Sequence, residues 1–186
     1  MEAKVNFGIL MGLGAAWLTL TLAEPTAALD PEAPETQELA ALEDSWARDR
    51  SDRALAEAVA DAYLTANRPD LAIAALSLAT PGVEADPGVA HRLAQAYEMS
   101  GRLDDALATA DLALSRCARS LGTSGSSSVS PLPARVCTER TYAALDVHQT
   151  ALSRMVAWGV TDPRDPRART AYGLAVRAAH ISTASR

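Results

Sequence analysis

The sequence predicts an all-α protein built from short helical hairpins, and three observations lead to this fold class. Hydrophobic residues make up 48% of the chain but aromatic residues only 4%, because much of the apolar content is alanine. Alanine is the best helix former and fills little volume, so such a chain favours closely packed helices. No series of alternating Val/Ile/Thr-rich runs indicates a sheet. Finally, two stretches of sequence repeat at an offset of 34 residues.

The repeated stretches begin at Asp52 and Asp86, and the offset superposes Tyr63 on Tyr97. Each stretch carries apolar residues at i, i+3 or i+4 and i+7, which predicts two amphipathic helices per repeat. Asn67 and Gly101 fall between the two helices. Both residue types adopt the left-handed conformation that ends a helix, so they predict the turn of each hairpin.

These residues resemble the tetratricopeptide repeat family, whose unit is a helix-turn-helix of the same period. The family pattern of small residues, tyrosine and turn glycine is matched in both stretches by Ala60 and Ala94, Tyr63 and Tyr97, Asn67 and Gly101, Ala72 and Ala106, Ala79 and Ala113. The chain departs from the pattern at Ala56 and Ala90, where the family has a large aromatic residue, and its closing proline is displaced to Pro81. The resemblance implies a short α-solenoid over residues 52–119.

Two repeats are too few to form a stable stack alone, so flanking helices are expected to cap them. The domain organisation that follows comprises a capping helix and two repeats over residues 37–119, a Ser/Gly-rich loop over 120–134 and a helical hairpin over 135–186. The capping helix covers residues 36–48 and carries Leu39, Leu42 and Trp46. The first helix of the final hairpin is expected from about residue 135 to residue 158, where Gly159 stops it.

The N-terminal segment carries an apolar run without charge over residues 5–23, with Lys4 before it and the small residue Ala23 at its end. This layout is typical of a secretory signal peptide, and the run is also long enough for an uncleaved membrane anchor. Residues 1–23 are therefore interpreted as one or the other, with membrane contact through residues 5–23. Both alternatives place the rest of the chain in the periplasm or another extracytoplasmic space. Residues 24–36 contain three prolines and predict an extended linker.

The only two cysteines, Cys117 and Cys137, lie on apolar helix faces at the two ends of the Ser-rich loop. Exported proteins fold in an oxidising compartment, so this pair predicts a disulfide. The bond would close a loop of about 20 residues, which corresponds to about 3 kcal/mol of stability in the loop-entropy model.

Several functional classes are disfavoured by the sequence. A formal net charge of −6 argues against nucleic-acid binding. None of His91, His148 and His180 has a second ligand four residues away, so neither a metal nor another cofactor is expected. His148 lies on an apolar face and is expected in the core or a groove. The chain has no GxSxG elbow and no GxxxxGK[ST] loop, so no catalytic residue and no enzymatic activity are predicted.

The remaining candidate site is the groove that the family resemblance implies. In that family the first helix of each unit lines the concave face, which here would present Glu57, Asp61, His91, Gln95 and Glu98. An acidic groove of this kind favours a basic or polar segment of a protein or peptide as the ligand. The sequence thus predicts an extracytoplasmic protein–protein interaction module. The alternative is a membrane-anchored accessory or structural subunit of a larger envelope or membrane complex.

Overall fold

The computed structural model describes residues 34–123 and 137–184, and these residues form eight α-helices without any strand. The chain divides into two units, Met1–Glu38 and Leu39–Arg186, and the described part of the first unit is the beginning of the first helix. The predicted all-α class is therefore confirmed. The apolar run at residues 5–23, most of the linker and most of the Ser/Gly-rich loop lie outside the described residues.

The helices follow one another along the chain with short connections. Their bounds are α1 Pro34–Arg48, α2 Arg53–Thr65, α3 Pro69–Leu76, α4 Pro81–Glu84, α5 Pro87–Met99, α6 Leu103–Thr123, α7 Glu139–Ala157 and α8 Pro166–Ala184. Three antiparallel pairs result, which we call hairpin 1 (α2 and α3), hairpin 2 (α5 and α6) and hairpin 3 (α7 and α8). Contacts run between neighbours: α2 packs on α3 and α5, α6 on α5 and α7, and α8 on α7.

Hairpins 1 and 2 begin in the same way, as the repeat predicts. Asp52 and Asp86 are the N-caps of α2 and α5, and each side chain accepts hydrogen bonds from two backbone N–H groups of the first turn. Such caps satisfy donors that a helix start leaves unpaired. Both helices are 13 residues long. The structure thus contains a helical repeat at the offset found in the sequence.

The turn that closes the first helix is the same in all three hairpins. Asn67, Gly101 and Gly159 have positive φ angles of 55°, 77° and 63°. After each helix the next backbone N–H bonds back to the carbonyl five residues earlier, in the pairs Arg68–Tyr63, Arg102–Tyr97 and Val160–Met155, at 2.8, 2.8 and 2.9 Å. This is the left-handed helix end that favours Gly or Asn. Gly159 therefore ends α7 as predicted.

Small residues form much of the core between these helices. Ala56, Ala60 and Ala94 are completely buried, and so are Ala72 and Ala106 in the second helices. Their small volume lets the helix axes approach closely. On the N-terminal side Trp46 of α1 is 2% exposed, and its indole N–H donates to the carbonyl of Ala75 at 3.2 Å. Trp46 thus covers hairpin 1, in the position expected of a capping helix.

Several helix boundaries differ from the sequence-based expectation. Helix α1 starts at Pro34, inside the predicted linker, because proline is well tolerated in the first turn of a helix. Helix α6 continues to Thr123, beyond the expected loop start at residue 120. Helix α7 starts only at Glu139, because Thr138 is its N-cap and accepts from the Thr141 N–H at 3.0 Å. The short α4 at Pro81 was not predicted.

Among the helices of the two described ranges, none has both the length and the apolar character that a membrane span requires.

Candidate functional site

A cleft of about 240 Å³ lies where the first helices of the three hairpins meet. Helix α2 contributes Glu57. Helices α5 and α7 contribute the remaining lining residues, Gly88, His91, Arg92, Arg140, Thr141 and Ala144. Of the predicted groove residues, the structure therefore places Glu57 and His91 together in one cleft.

The α7 wall of the cleft exists because α7 is longer than its counterparts. Helix α7 has 19 residues and α5 has 13, although both end at the same turn. The additional residues, 139–144, lie at the start of α7 and include Arg140, Thr141 and Ala144. A search for the 34-residue period does not find this wall, because these residues have no equivalent in hairpins 1 and 2.

Two of the predicted acidic residues lie against arginines, one from the neighbouring helix α5 and one from the first turn of α2 itself. Asp61 Oδ1 lies 2.6 Å from Arg92 Nε, and Asp61 Oδ2 lies 3.1 Å from Arg92 Nη2. The same guanidinium donates to Gln95 Oε1 at 3.2 Å. Glu57 Oε1 lies 3.7 Å from Arg53 Nε. Asp61 and Gln95 are thus held by Arg92 beside the cleft and are not among its lining residues.

Glu57 lies tightly against the start of α5. A methyl group at Gly88 would come within 2.5 Å of Glu57 Oε1, so the absence of a side chain at Gly88 lets the carboxylate lie this close to α5. Burial raises the pKa of Glu57 above its usual value, while Arg53 partly opposes that effect. The carboxylate is therefore packed into the wall of the cleft.

Glu98 does not face the cleft, contrary to the sequence-based expectation. Its Oε2 atom accepts a hydrogen bond from the Tyr172 hydroxyl at 2.7 Å and lies 3.0 Å from His148 Nε2. Because a carboxylate oxygen only accepts, His148 Nε2 carries the proton of this bond. The reason for the difference is that α7 and α8 cover the side of α5 that two isolated repeats would leave open.

The resulting buried cluster consists of His91, Glu98, His148 and Tyr172. His148 is 3% exposed, and its Nδ1 atom has no hydrogen-bond partner among the described residues. The rings of His91 and His148 are 5.1 Å apart, and His91 is the member of the cluster that lines the cleft. Burial, with the charges of His148 and Arg92, lowers the pKa of His91 to about 4. Burial and the neighbouring Glu98 raise the pKa of Tyr172.

His148 occupies a position that alanine fills in the other two hairpins. It lies eleven residues before Gly159, just as Ala90 lies before Gly101 and Ala56 before Asn67. The sequence predicted that His148 lies on the buried face of its helix, but it did not identify a hydrogen-bond partner for the imidazole. An alignment of the three hairpins on their turn residues points to this position, because it shows that His148 replaces a buried alanine.

The Sγ atoms of Cys117 and Cys137 lie within disulfide distance, and their Cα atoms are 5.1 Å apart. This geometry fits the predicted disulfide. Cys117 is completely buried in α6, in a cluster with Ala90, Ala113 and Leu145. Cys137 directly precedes the N-cap of α7. The bond therefore fixes the start of α7, and with it one wall of the cleft, to α6.

The cleft offers charged and hydrogen-bonding groups but few reactive ones. Its one hydroxyl, that of Thr141, shares a hydrogen bond with the Thr138 hydroxyl at 2.8 Å. Within residues 34–123 and 137–184, no cluster of three or more His, Cys, Asp or Glu side chains is arranged to hold a metal ion. The side chains that line the cleft can bind a complementary polar surface.

Comparisons with protein-family models, with curated proteins and with solved structures find no match to this chain.

Proposed function

We propose that this chain is a tetratricopeptide-like repeat protein that acts as a protein–protein interaction module. The observation that carries the proposal is the cleft, because it is formed by the first helices of three consecutive hairpins. Repeat proteins use the surface shared by equivalent helices to hold an extended segment of a partner. The partner segment would lie across α2, α5 and α7.

The family assignment is supported by features that recur along the chain. The Asp N-caps and the buried alanines occur twice at the family period, and the left-handed turn occurs three times. We assign hairpin 3 as a third, degenerate unit whose first helix has been extended at its start. Three units satisfy the usual requirement for a stable stack of repeats.

Binding without catalysis is supported by how the polar groups are engaged. The carboxylates next to the cleft pair with arginines, and the histidine that lines it is neutral at pH 7 because its pKa is about 4. No activated nucleophile lines the cleft. These groups suit recognition of a partner better than a reaction on it.

An extracytoplasmic location, such as the periplasm, is the compartment we propose. The Cys117–Cys137 pair fits a disulfide, and structural disulfides persist in oxidising compartments. The uncharged apolar run over residues 5–23 provides the export signal in this proposal.

The binding function is tested by blocking the cleft. A random-peptide phage library is selected against the purified protein, and the enriched peptides are titrated into wild type, Ala144→Trp and Ala178→Trp. Both alanines are exposed on helices, but only Ala144 lines the cleft. We expect Ala144→Trp to weaken binding at least tenfold and Ala178→Trp to leave it unchanged. Enrichment of no peptide, or equal binding by both variants, would contradict the proposal.

A second candidate is a membrane-anchored accessory subunit of a larger complex. The length and lack of charge of residues 5–23 favour it, since such a run can remain in the bilayer as an anchor. N-terminal sequencing of the protein from whole cells separates the two candidates. A mature start at Glu24 supports the released module, whereas an intact Met1 supports the anchored subunit.

A further inference from the structure

The carboxylates around the cleft lie close to arginines of the same surface. Glu57 and Asp86 both lie near Arg53, at 3.7 and 3.2 Å, and Asp61 pairs with Arg92. An arginine whose donors already bind a carboxylate has little attraction left for a ligand. The α2 and α5 walls therefore carry three carboxylates against two arginines, and each of these arginines already has a carboxylate partner.

Arg140 on the α7 wall is different. It is exposed and lines the cleft, and it has neither an ion pair nor a hydrogen bond within the described residues. It is the second residue of α7, so the partial positive charge of the helix start adds to its own charge. His91 on the opposite side adds no charge at neutral pH. Of the two arginines that line the cleft, Arg92 pairs with Asp61, whereas Arg140 on α7 has no carboxylate partner among the described residues.

We infer that the partner segment carries an acidic side chain, Asp or Glu, whose carboxylate binds the guanidinium of Arg140. This inference rests on the proposed function, and it reverses the basic partner that the sequence predicts. A carboxylate matches the paired N–H groups of a guanidinium in two parallel hydrogen bonds. The small residues Gly88 and Ala144 also line the cleft, and they leave room for the partner backbone to approach Arg140.

The Glu57 wall fixes the orientation of the segment. Glu57 and Arg140 line the same cleft from α2 and α7. A carboxylate near Glu57 would be repelled, whereas the same group near Arg140 is attracted. The segment is therefore bound with its acidic residue towards α7.

The experiment reverses the charge of Arg140. The peptides selected above are sequenced, and their affinities for wild type, Arg140→Glu and Arg169→Glu are measured by calorimetry at two salt concentrations. Arg169 is an exposed arginine near the start of α8 and is not among the lining residues, so it is the matched control.

We expect the selected peptides to be enriched in Asp and Glu. Arg140→Glu should weaken their binding about tenfold or more, and Arg169→Glu less than twofold. Raising the salt concentration should weaken binding to wild type more than to Arg140→Glu. Peptides that depend on Ala144 but are basic, or that bind Arg140→Glu as tightly as wild type, would overturn the inference while leaving the binding function intact. The absence of any selected peptide would count against both.

Discussion

The three hairpins have equivalent turns, but different residues are buried between them. The interface of hairpins 1 and 2 therefore differs from that of hairpins 2 and 3. Eleven residues before the turn, hairpins 1 and 2 carry the buried alanines Ala56 and Ala90, and the polar contacts between α2 and α5, such as Asp61 with Arg92, lie at the surface. Where α5 meets α7 and α8, the buried position is His148, which shares the Glu98 carboxylate with Tyr172. Conserving the turn therefore fixes how the helices are connected, but it leaves the chemistry between hairpins free to change.

The largest effect is expected from the disulfide, which acts only on the side of hairpins 2 and 3. Replacing Cys117 and Cys137 together with serine should lower the free energy of unfolding by about 3 kcal/mol, because the denatured chain regains the entropy of a closed loop. Urea denaturation measures the loss. Reductant should reproduce it in wild type and have no effect on the double variant. Identical unfolding of wild type with and without reductant would show that no such bond contributes.

A smaller loss of stability is expected when Glu98 is replaced by the residue that occupies its position in hairpin 1. The residue at the equivalent position there is Leu64. Glu98→Leu removes the acceptor of two buried donors, His148 Nε2–H and Tyr172 O–H, at a cost of about 2 kcal/mol. Glu57→Leu in the more open cleft is the control and should cost less than about 1 kcal/mol. Adding His148→Ala should recover part of the loss, since it removes one unpaired donor. Equal losses for Glu98→Leu and Glu57→Leu would contradict the buried cluster.

A third prediction distinguishes the two interfaces by the pH dependence of stability. The pKa of His91 is about 4 in the folded protein and 6.5 in an unperturbed histidine, so below pH 6.5 the unfolded chain binds more protons. The free energy of unfolding should therefore fall as the pH falls from about 6.5 to about 4. His91→Gln should flatten the profile in that window, and His180→Gln, at an exposed position on α8, should not. A profile that His91→Gln leaves unchanged would refute this assignment.

Much of the fold followed from the sequence because its determinants are local. Helix periodicity and the turn residues Asn67, Gly101 and Gly159 act within a few residues, and the structure contains each of them. The end of α6 and the start of α7 were less well predicted. Capping by Thr138 decides the start of α7, and the periodicity of apolar residues does not reveal it.

The site was predicted only in part, since it depends on contacts between distant residues. Glu57 and His91 were found because they share a face of equivalent helices. Glu98 was assigned to the same face, but the sequence did not show that Tyr172, 74 residues away, would cover it. Arg140 was missed because it lies in the part of α7 that has no counterpart in the repeat. The 34-residue period identifies the residues that recur in each hairpin, whereas Arg140, His148 and Tyr172 belong to the part of the chain that does not repeat.

The sequence separations of the polar contacts also determine the order in which the chain can fold. Contacts between hairpins 1 and 2, such as Asp61 with Arg92, join residues 31 positions apart, whereas Glu98 reaches His148 and Tyr172 across 50 and 74 positions. Closing a longer segment costs more chain entropy, so the shorter contacts form earlier. We therefore expect the carboxylate of Glu98 to stay hydrated until hairpin 3 packs, so that its bonds slow unfolding and leave the rate of folding almost unchanged.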